Sequence, residues 1–291
     1  MNRAVPLMVM LGLTATAGAQ DDAASGDTAV QLSYQTGEIL LPNKVAKLAL
    51  SDRYRYLDPK ETEKLLVAWG NPPGSETLGA IVPGSTDPLE ADGWAVIVTY
   101  IDDGHVDDSD AQTIDYDELL ASMKEGTAAD NEERQKAGYE PVELVGWADR
   151  PRYDATTHRL YWGKTLHFGT ASAQTLNYDV RVLGREGVLS LNAVASMDQL
   201  AQVGSDMEQL IPVAQFNAGH RYEEFDASTD QVAAYGLGAL VAGGVAAKLG
   251  LFGKLAAALL AFKKVLIPAL IAAGAFAMRL FRRKSAAVPL T

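Results

Sequence analysis

The feature that most constrains this chain is its C-terminal part, where residues 232–281 are almost wholly apolar and the only charged residues are basic. Val232–Gly253 contains one charge, Lys248, near its end. As a helix its 22 residues would span ~33 Å, which matches a bilayer core if the lysine reaches the headgroups. Val265–Phe281 is shorter, at ~25 Å, and carries Pro268 in its first turn.

The charges around these apolar runs predict how they would lie in a membrane. We predict membrane-anchoring segments over residues 232–284 and a short tail at residues 285–291. A single crossing would leave Lys263, Lys264 and the basic end of the chain in the cytoplasm, as the positive-inside rule requires. We favour one crossing, with the second run interfacial or re-entrant, over a two-helix hairpin. A buried helical pair in a soluble protein is the third interpretation.

The N-terminus has the three parts of a secretory signal peptide in the required order. Arg3 supplies the positive charge, residues 5–13 form a short apolar run, and Ala17-Gly18-Ala19 is a small-residue cleavage site. The run is too short for a comfortable membrane span, and a buried N-terminal helix is the alternative. We therefore predict a signal peptide at residues 1–19 and an extracytoplasmic domain at residues 20–231, held at the bacterial inner membrane.

Charge is distributed very unevenly along the chain. All 37 acidic residues, but only 16 of the 25 basic ones, lie within residues 20–231, which gives that segment a formal charge of −21. Such a domain repels nucleic acid, so we expect no nucleic-acid partner. The sequence contains no cysteine, which excludes disulfides, thiolate metal sites and a cysteine nucleophile.

Small residues recur at helical spacing in the first apolar run. Small residues four positions apart let the backbones of two membrane helices approach closely. We predict a homo-oligomer formed through Gly238, Ala242, Gly243 and Ala247, although small residues are also common in membrane helices generally. Besides the membrane, another envelope protein is the partner we expect.

The central part of the chain shows strand and helix patterns in a mixed order. Helix starts are marked by Asp58 with Pro59 and Glu61, by Asp115 with Glu118, and by Ser196 with Gln199. The second helix should run through Met123, and Gly126 and Gly138 should interrupt the segment after it. Strands are predicted at residues 37–41, 45–50, 94–100, 141–147, 159–168, 175–183 and 188–193. Consecutive strands with few helices predict an α+β fold, an antiparallel sheet with packed helices, plus a C-terminal transmembrane helical tail.

Several motifs along the chain resemble those of one bacterial family. They are WGNPPG at residues 69–74, LGAIVP at 78–83, YIDDGHVDDSDA at 100–111, GW and P.Y within 146–153, LYW at 160–162, LNYDVRVLGREG at 176–187, and FRRK at the end of the apolar tail. The family is that of bacterial predicted membrane-anchored proteins, domain-of-unknown-function family 2167. The resemblance implies membrane anchoring and an exported domain, and it brings no activity and no catalytic residues.

Aspartates cluster in one short loop. Asp103, Asp107, Asp108 and Asp110 offer oxygen ligands at the short spacing that Ca²⁺ prefers, although the run lacks the EF-hand spacing. We predict no cofactor and favour a solvated acidic loop, with Ca²⁺ binding at these four aspartates as the alternative. His105 lies between these aspartates, which could favour its charged form and make it a pH sensor, but we favour the interpretation that it is an ordinary surface histidine.

A second set of residues combines aromatic and basic side chains. Aromatic residues and arginine are enriched in binding hot spots, and arginines in an acidic domain suit an anionic group. The predicted ligand-binding residues are Trp147, Arg150, Tyr153, Trp162, Arg181 and Arg185. The alternative is that the aromatic side chains pack the sheet while the arginines pair with the excess carboxylates.

No motif in the sequence indicates a reaction. G-x-S-x-G, S-x-x-K, H-E-x-x-H and P-loop patterns are all absent, so we predict no catalytic residue and favour a protein that is not an enzyme. The predicted function is that of a membrane-anchored extracytoplasmic binding or scaffold protein of the bacterial envelope. One alternative is an envelope-polymer hydrolase, which needs a cleft with perturbed carboxylates. The other is an accessory subunit of a membrane transport complex, which needs paired tail helices around a polar path.

Overall fold

The computed structural model describes residues 30–71 and 73–243, in which two sheets form the frame of the fold. The strands are β1 (Glu38–Leu40), β2 (Ala46–Ala49), β3 (Tyr54–Leu57), β4 (Gly79–Pro83), β5 (Ala95–Ile101), β6 (Val142–Asp154), β7 (Arg159–Phe168), β8 (Thr175–Leu183), β9 (Val188–Ser196) and β10 (Ala214–Phe216). The helices are α1 (Pro59–Ala68), α2 (Tyr116–Lys136), α3 (Leu200–Leu210) and α4 (Leu237–Val241). A seven-stranded sheet has the order β3-β4-β5-β9-β8-β7-β6, and a three-stranded sheet has the order β1-β2-β10.

Neighbouring strands in both sheets pair in the antiparallel sense. This arrangement confirms the predicted α+β class, an antiparallel sheet with packed helices. The predicted signal peptide and most of the predicted membrane-anchoring segments lie outside the described residues. Within the described ranges, no helix is both long enough and apolar enough to cross a bilayer.

Alternation along the central strands separates the side chains of the large sheet onto two faces. On the first face, Val98 and Leu191 pack with Leu48 of the small sheet and Met207 of α3, and all four are fully buried. Burial of each aliphatic side chain of this size contributes about 1.5–3 kcal/mol. The first face therefore carries the main hydrophobic core.

Two helices cover opposite margins of the second face. Leu65 and Leu66 of α1 pack on Ile97 of β5, whereas Leu120 and Met123 of α2 contact a cluster of buried apolar residues on β6 and β7. The strands β8 and β9 lie between these margins in the sheet order. The side chains of β8 and β9 therefore form the middle of the second face, and several of them are polar.

All three predicted helix starts are confirmed by their hydrogen bonds. The Asp115 carboxylate accepts from the backbone N–H groups of Asp117 at 2.9 Å and Glu118 at 3.1 Å at the start of α2. The Asp58 carboxylate accepts from the backbone N–H of Glu61 at 2.9 Å, and Pro59 opens α1. Ser196 and Gln199 form the predicted capping box, with the Ser196 N–H donating to the Gln199 side chain at 3.0 Å. In each case the side chain satisfies a backbone group that the helix itself leaves without a partner.

The second helix extends further than predicted, because α2 passes through Gly126 and continues to Lys136. One glycine costs a helix only about 1 kcal/mol. The amide of Asn131 compensates by pairing with both backbone groups of Val142, at 2.9 Å to the carbonyl and 2.8 Å from the N–H. The side chain thus completes hydrogen bonds at the start of β6 that a neighbouring strand would otherwise supply.

We expect the Leu65→Ala variant to lower the free energy of unfolding by about 2–5 kcal/mol, because it leaves a cavity beneath α1. Val67→Ala is the matched control on the same helix, since Val67 is 46% exposed and its truncation should cost no more than about 0.5 kcal/mol. Urea unfolding of the detergent-purified chain measures both values. Equal losses in the two variants would contradict the assigned packing of α1.

Candidate functional site

The acidic loop, residues 102–110, contacts the segment of chain that enters the hydrophobic run. The His105 N–H donates to the carbonyl of Gln231 at 2.8 Å, and the Ala233 N–H donates to the carbonyl of His105 at 2.7 Å. These two bonds form a parallel bridge between His105 and Val232. Gly104 has a φ of +98°, and a Cβ there would lie 2.6 Å from the Gln231 carbonyl oxygen, so this contact requires glycine.

Two aspartates of the acidic loop fasten the same segment through their side chains. The Tyr235 hydroxyl donates to Asp103 at 2.8 Å. The Asp110 carboxylate accepts from the N–H of Leu237 at 3.1 Å, and its second oxygen lies 3.4 Å from the N–H of Gly238. Asp110 therefore caps the first turn of α4, at which backbone N–H groups have no partner within the helix.

The other two aspartates of the predicted metal site have different partners. Asp107 accepts from the backbone N–H of Ser109 at 2.8 Å, and Asp108 accepts from the Tyr153 hydroxyl at 2.6 Å. In the part of the chain that the structure describes, no three acidic or histidine side chains are grouped so as to hold a metal ion. The structure does not bring the four predicted ligands to one centre, and Ca²⁺ binding stays a prediction.

Aromatic rings stack beside the acidic loop. The His105 ring lies 3.9 Å from the Phe225 ring, centroid to centroid, and 4.4 Å from that of Tyr222. Tyr222 stacks in turn on His158 at 3.9 Å, and the Nδ1 atom of His158 lies 3.2 Å from the Tyr153 hydroxyl. Tyr153, one of the predicted ligand-binding residues, contacts the end of this stack through its hydroxyl.

The favoured interpretation of His105 as a surface histidine is wrong, and the alternative, in which its charged form is favoured, does not match the direction of its pKa shift. His105 is only 7% exposed. Burial lowers the pKa of its ring below the ordinary value, although the backbone groups of Gly184 and Arg185 and the carboxylates of Asp107 and Asp108 act to raise it. Burial disfavours the charged form of a histidine. The neutral ring is therefore the form that stacks between Tyr222 and Phe225.

The first residues of the predicted membrane-anchoring region belong to the globular unit, which extends to Ala242. Ala233 and, on α4, Leu237, Leu240 and Val241 are buried in a cluster with residues of the large sheet. Gly238, one of the predicted oligomer residues, faces the side chain of Ile114 within the domain. Ala247 lies outside the described residues, and oligomer formation stays a prediction.

Three of the predicted ligand-binding residues make contacts within the protein. Arg150 forms a two-pronged ion pair with Asp117, at 2.8 and 3.0 Å, and Arg185 forms one with Asp230, at 2.7 and 2.9 Å. The indole N–H of Trp147 donates to the carbonyl of Tyr116 at 3.3 Å. These contacts match the alternative interpretation, in which arginines pair with carboxylates and aromatic residues pack.

The remaining two predicted residues, Trp162 and Arg181, come together on the second face of the sheet. Antiparallel pairing sets Trp162 opposite Asp179, and the Arg181 guanidinium lies over the Trp162 ring at 4.9 Å from its centroid. Asp179 forms ion pairs with Arg181 at 3.0 Å and with Lys164 at 3.2 Å. We call Trp162, Lys164, Asp179 and Arg181 the sheet-centre cluster.

Sequence reasoning missed Lys164 and Asp179. The sequence contains a usable signal. Asp179 and Arg181 are two positions apart in one strand and therefore lie on the same face, and the pairing of β7 with β8 places Lys164 on that face as well. Burial raises the pKa of Asp179, and the charges of Lys164 and Arg181 more than offset this, so the pKa of Asp179 lies below its ordinary value. The carboxylate is ionised and holds two cations in place.

An open cleft of about 310 Å³ lies on the first face of the sheet. Its lining residues are Arg152, Tyr153, Asp154, Tyr161, Glu208 and Ile211. Hydrogen bonds from Thr157 and Thr156 lower the pKa of Asp154, and Arg152 is paired with Asp149 at 2.7 Å. A general acid needs a raised pKa, so Asp154 does not fit the role that the hydrolase alternative requires.

We expect Asp110→Ala to lower the free energy of unfolding by about 1 kcal/mol, because α4 loses the acceptor for its first turn. Asp102→Ala is the control, since Asp102 is an exposed aspartate of the same loop. Hydrogen exchange of the Leu237 amide should also accelerate in the Asp110 variant alone. Unchanged exchange at Leu237 would contradict the capping role.

The lowered pKa of His105 predicts how stability depends on pH. The unfolded chain takes up the proton at its ordinary pKa of about 6.5, above the value in the folded state, so this contribution is complete above pH 6.5 and declines as the pH falls below it. His105→Phe retains an aromatic ring and should flatten that decline in urea unfolding measured from pH 5 to 7.5. His220→Gln is the control, and an unchanged slope in His105→Phe would refute the assignment.

Two solved structures resemble 67% of this chain each. The solution structure of cyanobacterial PsbP (CyanoP) from Synechocystis has a TM-score of 0.36, 11% identity and 98% of its own chain covered. The Ran-binding protein Mog1p from Saccharomyces cerevisiae has a TM-score of 0.32, 10% identity and 100% of its own chain covered. These TM-scores are too low to support an argument about this chain, and no curated protein matches it.

The family resemblance noted in the sequence motifs is confirmed over most of the chain. Residues 33–274 match the family described as "Protein of unknown function (DUF2167)". The matched range includes the acidic loop, the aromatic stack, the sheet-centre cluster and α4. The chain belongs to the DUF2167 family.

Proposed function

We propose that this chain is a membrane-anchored binding or scaffold protein of the bacterial envelope, with its globular domain outside the cytoplasm. The signal-peptide pattern at residues 1–19 and the apolar, basic part of the sequence that follows the globular unit, residues 243–284, support export followed by anchoring. The formal charge of −21 on residues 20–231 supports display above the bilayer, because anionic headgroups repel an acidic domain.

The attachment of the acidic loop to residues 231–238 is the observation that carries this proposal. Main-chain bonds at His105, the Tyr235–Asp103 bond and the Asp110 cap fasten the chain at three successive points. The apolar run begins at Val232, within this attached segment, so no long linker separates the domain from the run. This arrangement suits a module that presents a binding surface close to the membrane.

The test is fractionation of cells that produce the full-length tagged chain or a variant ending at Gly243. Truncation after residue 231 is unsuitable as the comparator, because it removes the buried residues Ala233, Leu237 and Leu240. We expect the full chain in the membrane fraction, resistant to alkaline extraction, and the 1–243 variant in the soluble extracytoplasmic fraction. A matched alkaline phosphatase fusion after Gly243 should be active.

Cross-linking in intact cells then distinguishes a scaffold from an isolated domain. We expect protein partners that are retained by the 1–243 variant, because the proposed binding surface lies on the domain. A full chain extracted by alkali, or an inactive fusion, would refute the proposed anchoring and display. Partners that require the apolar region alone would refute the role of the domain.

A further inference from the structure

The sheet-centre cluster lies where a sheet packed by helices is normally apolar. The side chains of β8 and β9 that face this side are largely polar: Asn177, Asp179, Arg181, Ser190 and Asn192. Asn177, Asp179 and Ser190 are each no more than 5% exposed. Burial of polar groups costs free energy unless hydrogen bonds satisfy them, so this row needs a reason beyond packing.

Several buried polar atoms in and beside the sheet-centre cluster have no hydrogen-bond partner among the described residues, and they include both donors and acceptors. The indole N–H of Trp162 is fully buried and meets no acceptor among the described residues, nor does the Nε–H of Arg181. Lys164 brings three ammonium protons, and one carboxylate, that of Asp179, serves both cations. The Oδ2 atom of Asp179 and the Oδ1 atom of Asn177 also lack a hydrogen-bond donor. Two cations around one carboxylate nevertheless leave the cluster with a net positive charge and with unpartnered N–H groups.

We propose that Lys164, Arg181 and Trp162 bind the oxygen atoms of a small anion, a carboxylate or a phosphate group. This inference deepens the proposed binding function by naming the class of ligand. Oxyanions accept charge-assisted hydrogen bonds from guanidinium and ammonium groups, and the indole N–H is a donor only. Asp179 is a positioning residue, because its ion pairs hold both cations on the same face of the sheet.

The exposure of the two cations and the charge of the surrounding surface limit the size of the bound anion. The side chains of Lys164 and Arg181 are 21% and 12% exposed, whereas that of Asp179 is 2% exposed. The two cations therefore form the accessible part of the cluster. The acidic surface around them repels polyanions at long range, so a compact anion is favoured over nucleic acid or an anionic polymer.

The test uses the full-length protein purified in detergent, titrated with sodium acetate or sodium phosphate at constant ionic strength against sodium chloride. We expect at least one of the two anions to change the tryptophan emission saturably and to raise the midpoint of thermal unfolding. The relative affinities of acetate and phosphate then distinguish a carboxylate ligand from a phosphate ligand. Lys164→Gln should raise the apparent Kd at least about tenfold, the contribution of a charge-assisted hydrogen bond.

Matched variants locate the bound anion. Lys136→Gln makes the same substitution at an exposed position of α2 and should leave the apparent Kd unchanged. Trp162→Phe retains a buried aromatic ring and should abolish the emission change. Lys164→Arg keeps the charge and serves as a second test of binding if Lys164→Gln does not fold, as judged by circular dichroism.

Three results would overturn this inference. They are the absence of a saturable response to either anion in the wild type, equal responses of Lys164→Gln and Lys136→Gln, and an emission change that persists in Trp162→Phe. Each result is obtained with purified protein and is independent of membrane location. Failure of anion binding would therefore leave the fractionation result unaffected, and the converse also holds.

Discussion

The parallel bridge between His105 and Val232 determines how the chain leaves the globular domain. This parallel pairing brings together two segments far apart in sequence, and closing the long loop between them costs conformational entropy that other contacts must offset. Here Phe225 and Tyr222 stack on the His105 ring, while Asp110 caps α4 just beyond the bridge. The acidic loop is thus explained by its contacts with its own chain.

The same constraint accounts for the distribution of the aspartates. A carboxylate is the strongest acceptor that a loop can offer to backbone N–H groups at a helix start or to a tyrosine hydroxyl. Asp103, Asp108 and Asp110 each meet such a donor, and Asp107 closes a turn within the loop. Close spacing of acidic residues therefore serves several separate hydrogen bonds, whereas a metal site would require their convergence.

Much of the fold could be predicted from the sequence, because the signals that start helices depend on only a few neighbouring residues. Asp58 with Pro59, and Ser196 with Gln199, set helix starts through their own side chains, and both were recognisable without the structure. The length of α2 was not predictable, since it depends on the contact of Asn131 with Val142 on another element. Partners of Arg150 and Arg185 were likewise fixed only by tertiary packing.

The site residues show the same division between local and long-range information. Aromatic and basic side chains could be identified as a set, yet the sheet register decided that Trp162 and Arg181 meet while Trp147 and Tyr153 do not join them. Lys164 and Asp179 became recognisable only when β7 and β8 were paired in register. The prediction for His105 failed because burial depends on residues 222–233, more than a hundred positions away.

Trp162 connects the sheet-centre cluster with the end of the domain that leads to the apolar region. The Arg181 guanidinium lies over the Trp162 ring, and Trp162 belongs to the same buried cluster as Leu237 and Leu240 of α4. A bound anion that changes the position of Arg181 would therefore act on a side chain in the same buried cluster as α4. Because packed interiors have little free volume, a shift of one such side chain must be accommodated by its neighbours. Any coupling between the packing of α4 and anion binding at the sheet-centre cluster would be reciprocal. A change in the packing of α4 would then alter the anion affinity of the cluster by the same factor.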